Sequence, residues 1–287
     1  MLGKSLIETK PTNFKIAATY IGEYPMEDLS DIKYTTLDIR DHDGNERLFK
    51  EFKPNVIIHT AGIGSPDYAE QHKEETWDIN IGGTMDILSL CQKNKARLVY
   101  ISSNGVYDGE RAPYSEKNKP EPVNYYGELK LKAEKIIMKS SVSYAIVRPI
   151  LMYGWNHSFE RSNIVTHALK MIESGLTVHV YDDVFITPLY SIECGKAIWK
   201  IIKENKSDVF NIAGAERVSI YQMIKKLAVI FDRNEDLVKP VQQGFFNELV
   251  RRPRDTSFTT DKMQSVLHIK PLTLLEGLTA MKANRKQ

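Results

Sequence analysis

Short runs that stay apolar from one residue to the next, set between helix-like stretches, constrain this 287-residue chain more than any other feature. VIIHTAG (56–62), ARLVYISS (96–103) and VSYAIVRPI (142–150) are each long enough for one strand, and FKIAATY (14–20) and IKYTTLDI (32–39) precede them. Continuous rather than alternating hydrophobicity marks a strand buried on both faces. DGNERLFKEF (43–52), 67–94 and 124–139 read as the helices between. Strands and helices that alternate in this way predict an α/β fold, with a parallel sheet covered on both sides. Such sheets collect their working groups at the carboxyl ends of the strands, where Gly62, Ser103 and the segment after Arg148-Pro149 fall.

After residue 154 the pattern loosens: helices are expected at 161–174, SIECGKAIWKIIKEN and SIYQMIKKLAVIF, with strands in TVHVYDDVFITPLY and DVFNIAG. The sequence divides into a sheet domain (1–154) and a smaller α/β lobe (155–287), interleaved with strands that return to the sheet. Asp182-Asp183 reads as a turn, and Trp77 and Trp155 as packing residues, Trp155 being close enough to RPILMYG to line a pocket. ERAPYSEKNKPEP, charged and proline-rich, reads as a surface loop.

Ser103 and the run Tyr126-Gly-Glu-Leu-Lys130 carry the chemistry. A Tyr and a Lys four residues apart share one helix face, so phenol and ammonium can act on one bound molecule. The Lys charge is expected to lower the phenol pKa and make Tyr126 usable as a proton donor near neutrality. A hydroxyl from Ser103 would hold the substrate oxygen in line. Such a trio suits interconversion of an alcohol and a carbonyl beside a nicotinamide. Taken alone, the spacing is equally that of an exposed helix face with a Tyr lying over it; the strand before Ser103 and the helix start at Asn124 favour chemistry.

The opening residues, MLGKSLIE, read as the last glycine of a phosphate-binding turn, Gly3, running straight into its helix. The strand and earlier glycines of such a turn are not seen. The expectation is a sheet without its first strand and most of its Gly-rich turn, whose neighbouring strands carry unpaired edges, with weakened dinucleotide affinity.

A formal net charge of +2 gives no case for nucleic acid or a membrane surface. Cys91 and Cys194 read as reduced core thiols, and no apolar run is long enough to span a bilayer, so a cytoplasmic protein is expected. The seven histidines are scattered without metal-ligand spacing, and His59 reads as a strand-end hydrogen-bonding residue.

Together with VIIHTAG, LDIRD, ISSNGVYDG, PVNYYGELKLKAE and RPILMYG, the trio resembles the extended short-chain dehydrogenase/reductases. VYDG after the Ser, PYSE, and RRPRDTSFTTDKM look most like the dTDP-4-dehydrorhamnose reductase family, a branch that also includes the non-catalytic beta subunit of methionine adenosyltransferase. The resemblance implies a Rossmann-type doubly wound sheet with a sugar-nucleotide lobe, and Ser103, Tyr126 and Lys130 as the catalytic trio. It implies that Gly3, Asp38, Ile39, Thr60, Ala61, Gly62, Tyr126 and Lys130 contact NAD(P)H. It also implies that Ser103, Asn104, Tyr126, Leu151 and Arg252 lie near the substrate, although Leu151 stands where rhamnose-forming reductases carry a Trp. No acid or Arg after Thr19-Tyr20 chooses between NAD and NADP. The function implied is reduction of a nucleotide-linked 4-keto-6-deoxysugar. The alternatives are an epimerase or dehydratase of the same superfamily, or a non-catalytic regulatory subunit; a homodimer through helix 124–139 fits the superfamily.

Overall fold

The computed structural model describes residues 1–22, 32–157 and 160–285. The chain opens with α1 (Leu2–Glu8), β1 (Ile16–Tyr20) and β2 (Ile32–Thr36), the two strands pairing in parallel. α2 (His42–Phe52) starts where the Asp41 carboxylate accepts the Gly44 N–H and stops at Lys53, in the left-handed conformation. β3 (Val56–His59) follows. The single helix expected over 67–94 is divided into α3 (Pro66–Gln71), α4 (Lys73–Trp77), a π-helical turn (Asp78–Gly82) and α5 (Gly83–Asn94). The break falls at His72, whose φ of −127° and ψ of 59° interrupt the hydrogen-bond ladder without a Gly or Pro to announce it. β4 (Arg97–Ile101), α6 (Tyr125–Met138) and β5 (Tyr144–Pro149) complete the first half.

The second half supplies β6 (Met152–Tyr153), α7 (Ile164–Glu173), β7 (Val178–Tyr181), β8 (Phe185–Ile186), β9 (Leu189–Tyr190) and α8 (Ser191–Lys203). β10 (Val209–Ile212) returns to the main sheet beside β5. β11 (Val218–Ser219), α9 (Ile220–Ile230), β12 (Val238–Val241), α10 (Asp261–Leu267) and α11 (Leu274–Ala283) end the chain. Capping boxes at Ser219/Gln222 and Thr273/Glu276 fix the starts of α9 and α11. β12 pairs with β7 in parallel, and β11 with β8 antiparallel.

The main sheet runs β10-β5-β4-β3, all parallel, and β4 alternates its side chains between two cores. Val99 and Ile101 join the larger core with Val147, Ile198 and Phe210, while Leu98 and Tyr100 join the smaller with Leu88, Leu129 and Ile146. β1 and β2 form a separate pair. Among the described residues, β1 pairs only with β2, and β3 only with β4. In the doubly wound order 3-2-1-4-5-6, the β2-β1 pair matches the first two strands and β3-β4-β5 the last three, and among the described residues no strand pairs with both. Val56, Ile57 and Ile58 of β3 are accordingly half-buried, whereas every residue of β4 is buried.

Contacts from the flanking helices hold β1 in place. α1 packs along α8: the Trp199 indole donates to the Leu6 carbonyl at 2.9 Å, and the Ser5 hydroxyl donates to that of Ser191 at 2.8 Å. Phe14, just before β1, has its ring centroid 5.3 Å from that of Trp199. The loop expected to lie on the surface at 110–122 does so for most of its length, but one residue anchors it in the core. Tyr114 is fully buried, stacks on Tyr107 with ring centroids 4.3 Å apart, and exchanges backbone hydrogen bonds with Ser257 and Thr259. An aromatic ring with backbone partners overrides the polar composition around it.

Candidate active site

Three strand ends and one helix build the site. β3 delivers Thr60, Ala61 and Gly62; β4 delivers Ser102, Ser103 and Asn104; β5 delivers Ile150 and Leu151. α6 begins opposite them because the Asn124 carboxamide accepts the Gly127 N–H at 3.0 Å, which starts the helix one residue before Tyr126. Gly127 is there for close approach: a Cβ on it would lie 2.2 Å from the Gly105 carbonyl oxygen. That packing brings the Tyr126 ring against Gly105 and Ser103.

A cavity of about 470 Å³ opens over these ends, lined by Gly3, Thr60, Gly62, Ser103, Asn104, Tyr126, Lys130 and Leu151, with Met1 and Glu160 at one side. Eight of the expected site residues therefore meet in one place. Ala61, Asp38, Ile39 and Arg252 are not part of this lining. Asp38 is bound to the Arg40 guanidinium, which holds its carboxyl below the usual range, and Ile39 packs towards Gly83. Trp155 also stays out of the cavity; its indole donates to the Met281 carbonyl, and its ring meets Phe231 edge-on. Trp77 is partly exposed beneath the Lys132 ammonium instead of packed inside.

Lys130 is buried and donates to the Ile101 carbonyl at 2.9 Å, with its ammonium 5.0 Å from the Tyr100 ring centroid. Desolvation pulls its pKa down to about 8, against the pull of the Glu134 charge. Tyr126 departs from expectation: burial raises its pKa, partly offset by a hydrogen bond with Ser103. The Lys130 ammonium is bound to a backbone carbonyl here, and its charge does not outweigh that burial. His59, beneath Lys130, is pushed down to about 3 by burial and then by the lysine charge; its Nε2 lies 2.9 Å from the Thr84 hydroxyl.

Several further side chains shape the site. Asn80, on the π-helical turn, accepts from the Ile63 N–H at 2.8 Å and donates to the Ile63 carbonyl at 3.0 Å. It fixes the loop in which Gly62 adopts φ +149°, a conformation strained for any residue with a Cβ. π-Turns recur where a helix must place a polar group. Asn104 donates to Thr256 at 2.7 Å, and Asn124 to the Arg251 carbonyl at 3.1 Å, tying the 251–256 segment beside the trio. Arg252 donates to Asp67 at 2.5 Å, while Asp67 Oδ1 and Arg252 Nε lack hydrogen-bond partners. Sequence reasoning missed Asn80 and Asp67, which lie in segments read as plain helix. It missed Glu134 as well, although Glu134 continues the four-residue spacing of Tyr126 and Lys130.

A parallel sheet with Ser, Tyr and Lys converging at its carboxyl ends, joined to a smaller α/β half, defines a Rossmann-type member of the extended short-chain dehydrogenase/reductases. The family model for the RmlD substrate binding domain matches residues 6–286, and the chain belongs to that family. It is similar to methionine adenosyltransferase 2 subunit beta of Rattus norvegicus, 24% identical over 239 residues, 82% of this chain and 71% of that one. It is also similar to dTDP-4-dehydrorhamnose reductase of Aggregatibacter actinomycetemcomitans, 23% identical over 267 residues, 88% of each chain. The crystal structure of dTDP-4-dehydrorhamnose reductase from Bacillus anthracis in complex with NADP superposes with a TM-score of 0.84 at 25% identity. That match covers 99% of this chain and 95% of the other.

Proposed function

We propose that this protein reduces the 4-keto group of a nucleotide-linked 6-deoxysugar, using NAD(P)H. The observation that carries the reading is the convergence of Ser103, Tyr126 and Lys130 on one cavity at the strand ends. Thr60, Gly62, Tyr126 and Lys130 suit the ribose and nicotinamide of a dinucleotide: Gly62 leaves the floor open, and Lys130 offers a donor there. Gly3 would face the phosphates, in a region that Glu160 shares with the Met1 amine at 2.5 Å. The cofactor, when bound, supplies hydride to the carbonyl carbon.

The chain's own groups do the rest. Ser103 donates to the substrate oxygen and orients it. Tyr126, kept protonated by burial, gives its proton to that oxygen as charge develops, and the nearby Lys130 ammonium stabilises the phenolate left behind. Asn104 and Leu151 line the sugar side. Lys130 loses its charge near pH 8, so activity is expected to decline above that pH.

A second reading, a catalytically idle regulatory subunit, is favoured by the 24% identity to the methionine adenosyltransferase subunit. Calorimetric titration with NADH and NADPH, followed by assay on 4-keto-6-deoxysugar nucleotides, separates the two. Turnover that Tyr126→Phe lowers about 10²- to 10⁴-fold, with cofactor binding retained, supports the reductase. Cofactor binding without turnover, or turnover indifferent to Tyr126→Phe, overturns it.

A further inference from the structure

The spacing that places Tyr126 and Lys130 on one face of α6 continues to Glu134, which is fully buried. Its carboxylate is held by three bonds: Arg148 Nε donates to Oε1 at 2.8 Å, Arg148 Nη2 donates to Oε2, and the Ser102 hydroxyl donates to Oε1. Arg148, on β5, is itself only 3% exposed and donates through Nη1 to the Tyr107 hydroxyl at 2.8 Å. The helix is thus bound to the end of β4 at three successive residues: Lys130 to the Ile101 carbonyl, Glu134 to Ser102, and Tyr126 to Ser103.

We propose that Glu134 and Arg148 are positioning residues for the proton-transfer trio: their two-point ion pair locks α6 to the strand ends, and Arg148 neutralises the carboxylate that faces Lys130. A bare carboxylate in this buried setting would hold Lys130 fully charged, and a bare guanidinium would drive its proton off. The pair does neither. The other titratable groups around Lys130 are Tyr126 on its own helix, Tyr100 on β4 and His59 on β3, the histidine neutral and both phenols protonated near neutrality. Glu134 is therefore the charge that acts on Lys130, and Arg148, bonded to it at two points, is the charge that opposes it. The pair's role is electrostatic as well as structural, because buried ion pairs are often no more stabilising than apolar residues of the same shape.

The proposal rests on the catalytic reading of Tyr126 and Lys130, but its test needs neither substrate nor cofactor. The full chain is labelled with ¹³C at the lysine ε carbons, and the Lys130 signal is identified by its loss in Lys130→Arg and followed with pH. Arg148→Met is expected to raise the Lys130 midpoint by about one pH unit and Glu134→Gln to lower it by about as much. The double variant Glu134→Gln/Arg148→Met, and Arg148→Lys, are expected to return it close to wild type. If Arg148→Met does not fold, Glu134→Gln against Arg148→Lys gives the same comparison. Single variants that leave the midpoint unmoved, or move it in one direction, overturn the proposal, because loss of packing alone has no sign. Ordered shifts in a protein without turnover would instead overturn the reductase reading and leave standing the pair's control of the Lys130 charge.

Discussion

At Lys130 an ammonium sits 7% exposed with a backbone carbonyl as its acceptor, and the fold bears the cost. Its pKa is about 8 in the folded protein against 10.5 for the free side chain. Below pH 8 both folded and unfolded forms are protonated and the full penalty applies. As pH rises from 8 towards 10.5, the folded form is neutral while the unfolded form still holds its proton, so the penalty fades and stability climbs. Lys130→Met is therefore expected to stabilise the protein at pH 7 by roughly 3 kcal/mol, with the gain shrinking as pH approaches 10.5. Urea denaturation of both proteins at pH 7 and pH 10 checks the sign. Cys91 and Cys194 make the opposite case: burial pushes each thiol up to about 12, which leaves both unreactive near neutrality.

Among the elements, α6 was the most legible in advance, and the reason is chemical. Asn124 caps it, apolar residues recur at helical spacing, and the observed span Tyr125–Met138 lies one residue inside the expected 124–139. The helix over 67–94 was not legible as three pieces, since His72 breaks it through backbone angles and the π-helical turn through an extra residue in the ladder; neither has a sequence marker. Strands of two residues, such as β6, β8 and β9, are too short to show a period. Tyr114 hid for a different reason: its burial depends on Tyr107 and Phe258, and Phe258 is 144 positions away (258 − 114). Helix placement also yields a test. Gly127→Ala inserts a methyl 2.2 Å from the Gly105 carbonyl oxygen, so α6 must retreat from the Ser103 loop. A loss of about 1–3 kcal/mol in chemical denaturation is expected, and under the proposed function turnover falls as well.

Across the whole molecule, the Arg252–Asp67 ion pair joins a late segment of the chain to the helix that follows the Gly62 loop. Each partner keeps one buried polar atom unsatisfied. Under the proposed function, Arg252 Nε would donate to an anionic group of the ligand and Asp67 Oδ1 would accept from a ligand hydroxyl, since a guanidinium can serve two acceptors at once. Arg252→Ala is expected to raise KM for the nucleotide sugar tenfold or more, with kcat changed less, as steady-state kinetics would show. Rejection of this role would come from an unchanged KM. The separation of the β1-β2 pair from the main sheet bears on the same scale, because among the described residues the front of the molecule is attached through α1 on α8 and no strand pairing joins the two sheets.

That attachment makes the protein optically self-reporting. Of the three tryptophans, Trp77 is partly exposed beside Lys132, Trp155 sits between Phe231 and Met281, and Trp199 lies in the dry seam between α8, Leu6 and Phe14. Emission from Trp199 belongs at the blue end of the protein's fluorescence. Release of α1 from α8 would move it to the red while Trp155 still reported an intact carboxyl-terminal half. One wavelength scan thus distinguishes loss of the front of the molecule from loss of the whole.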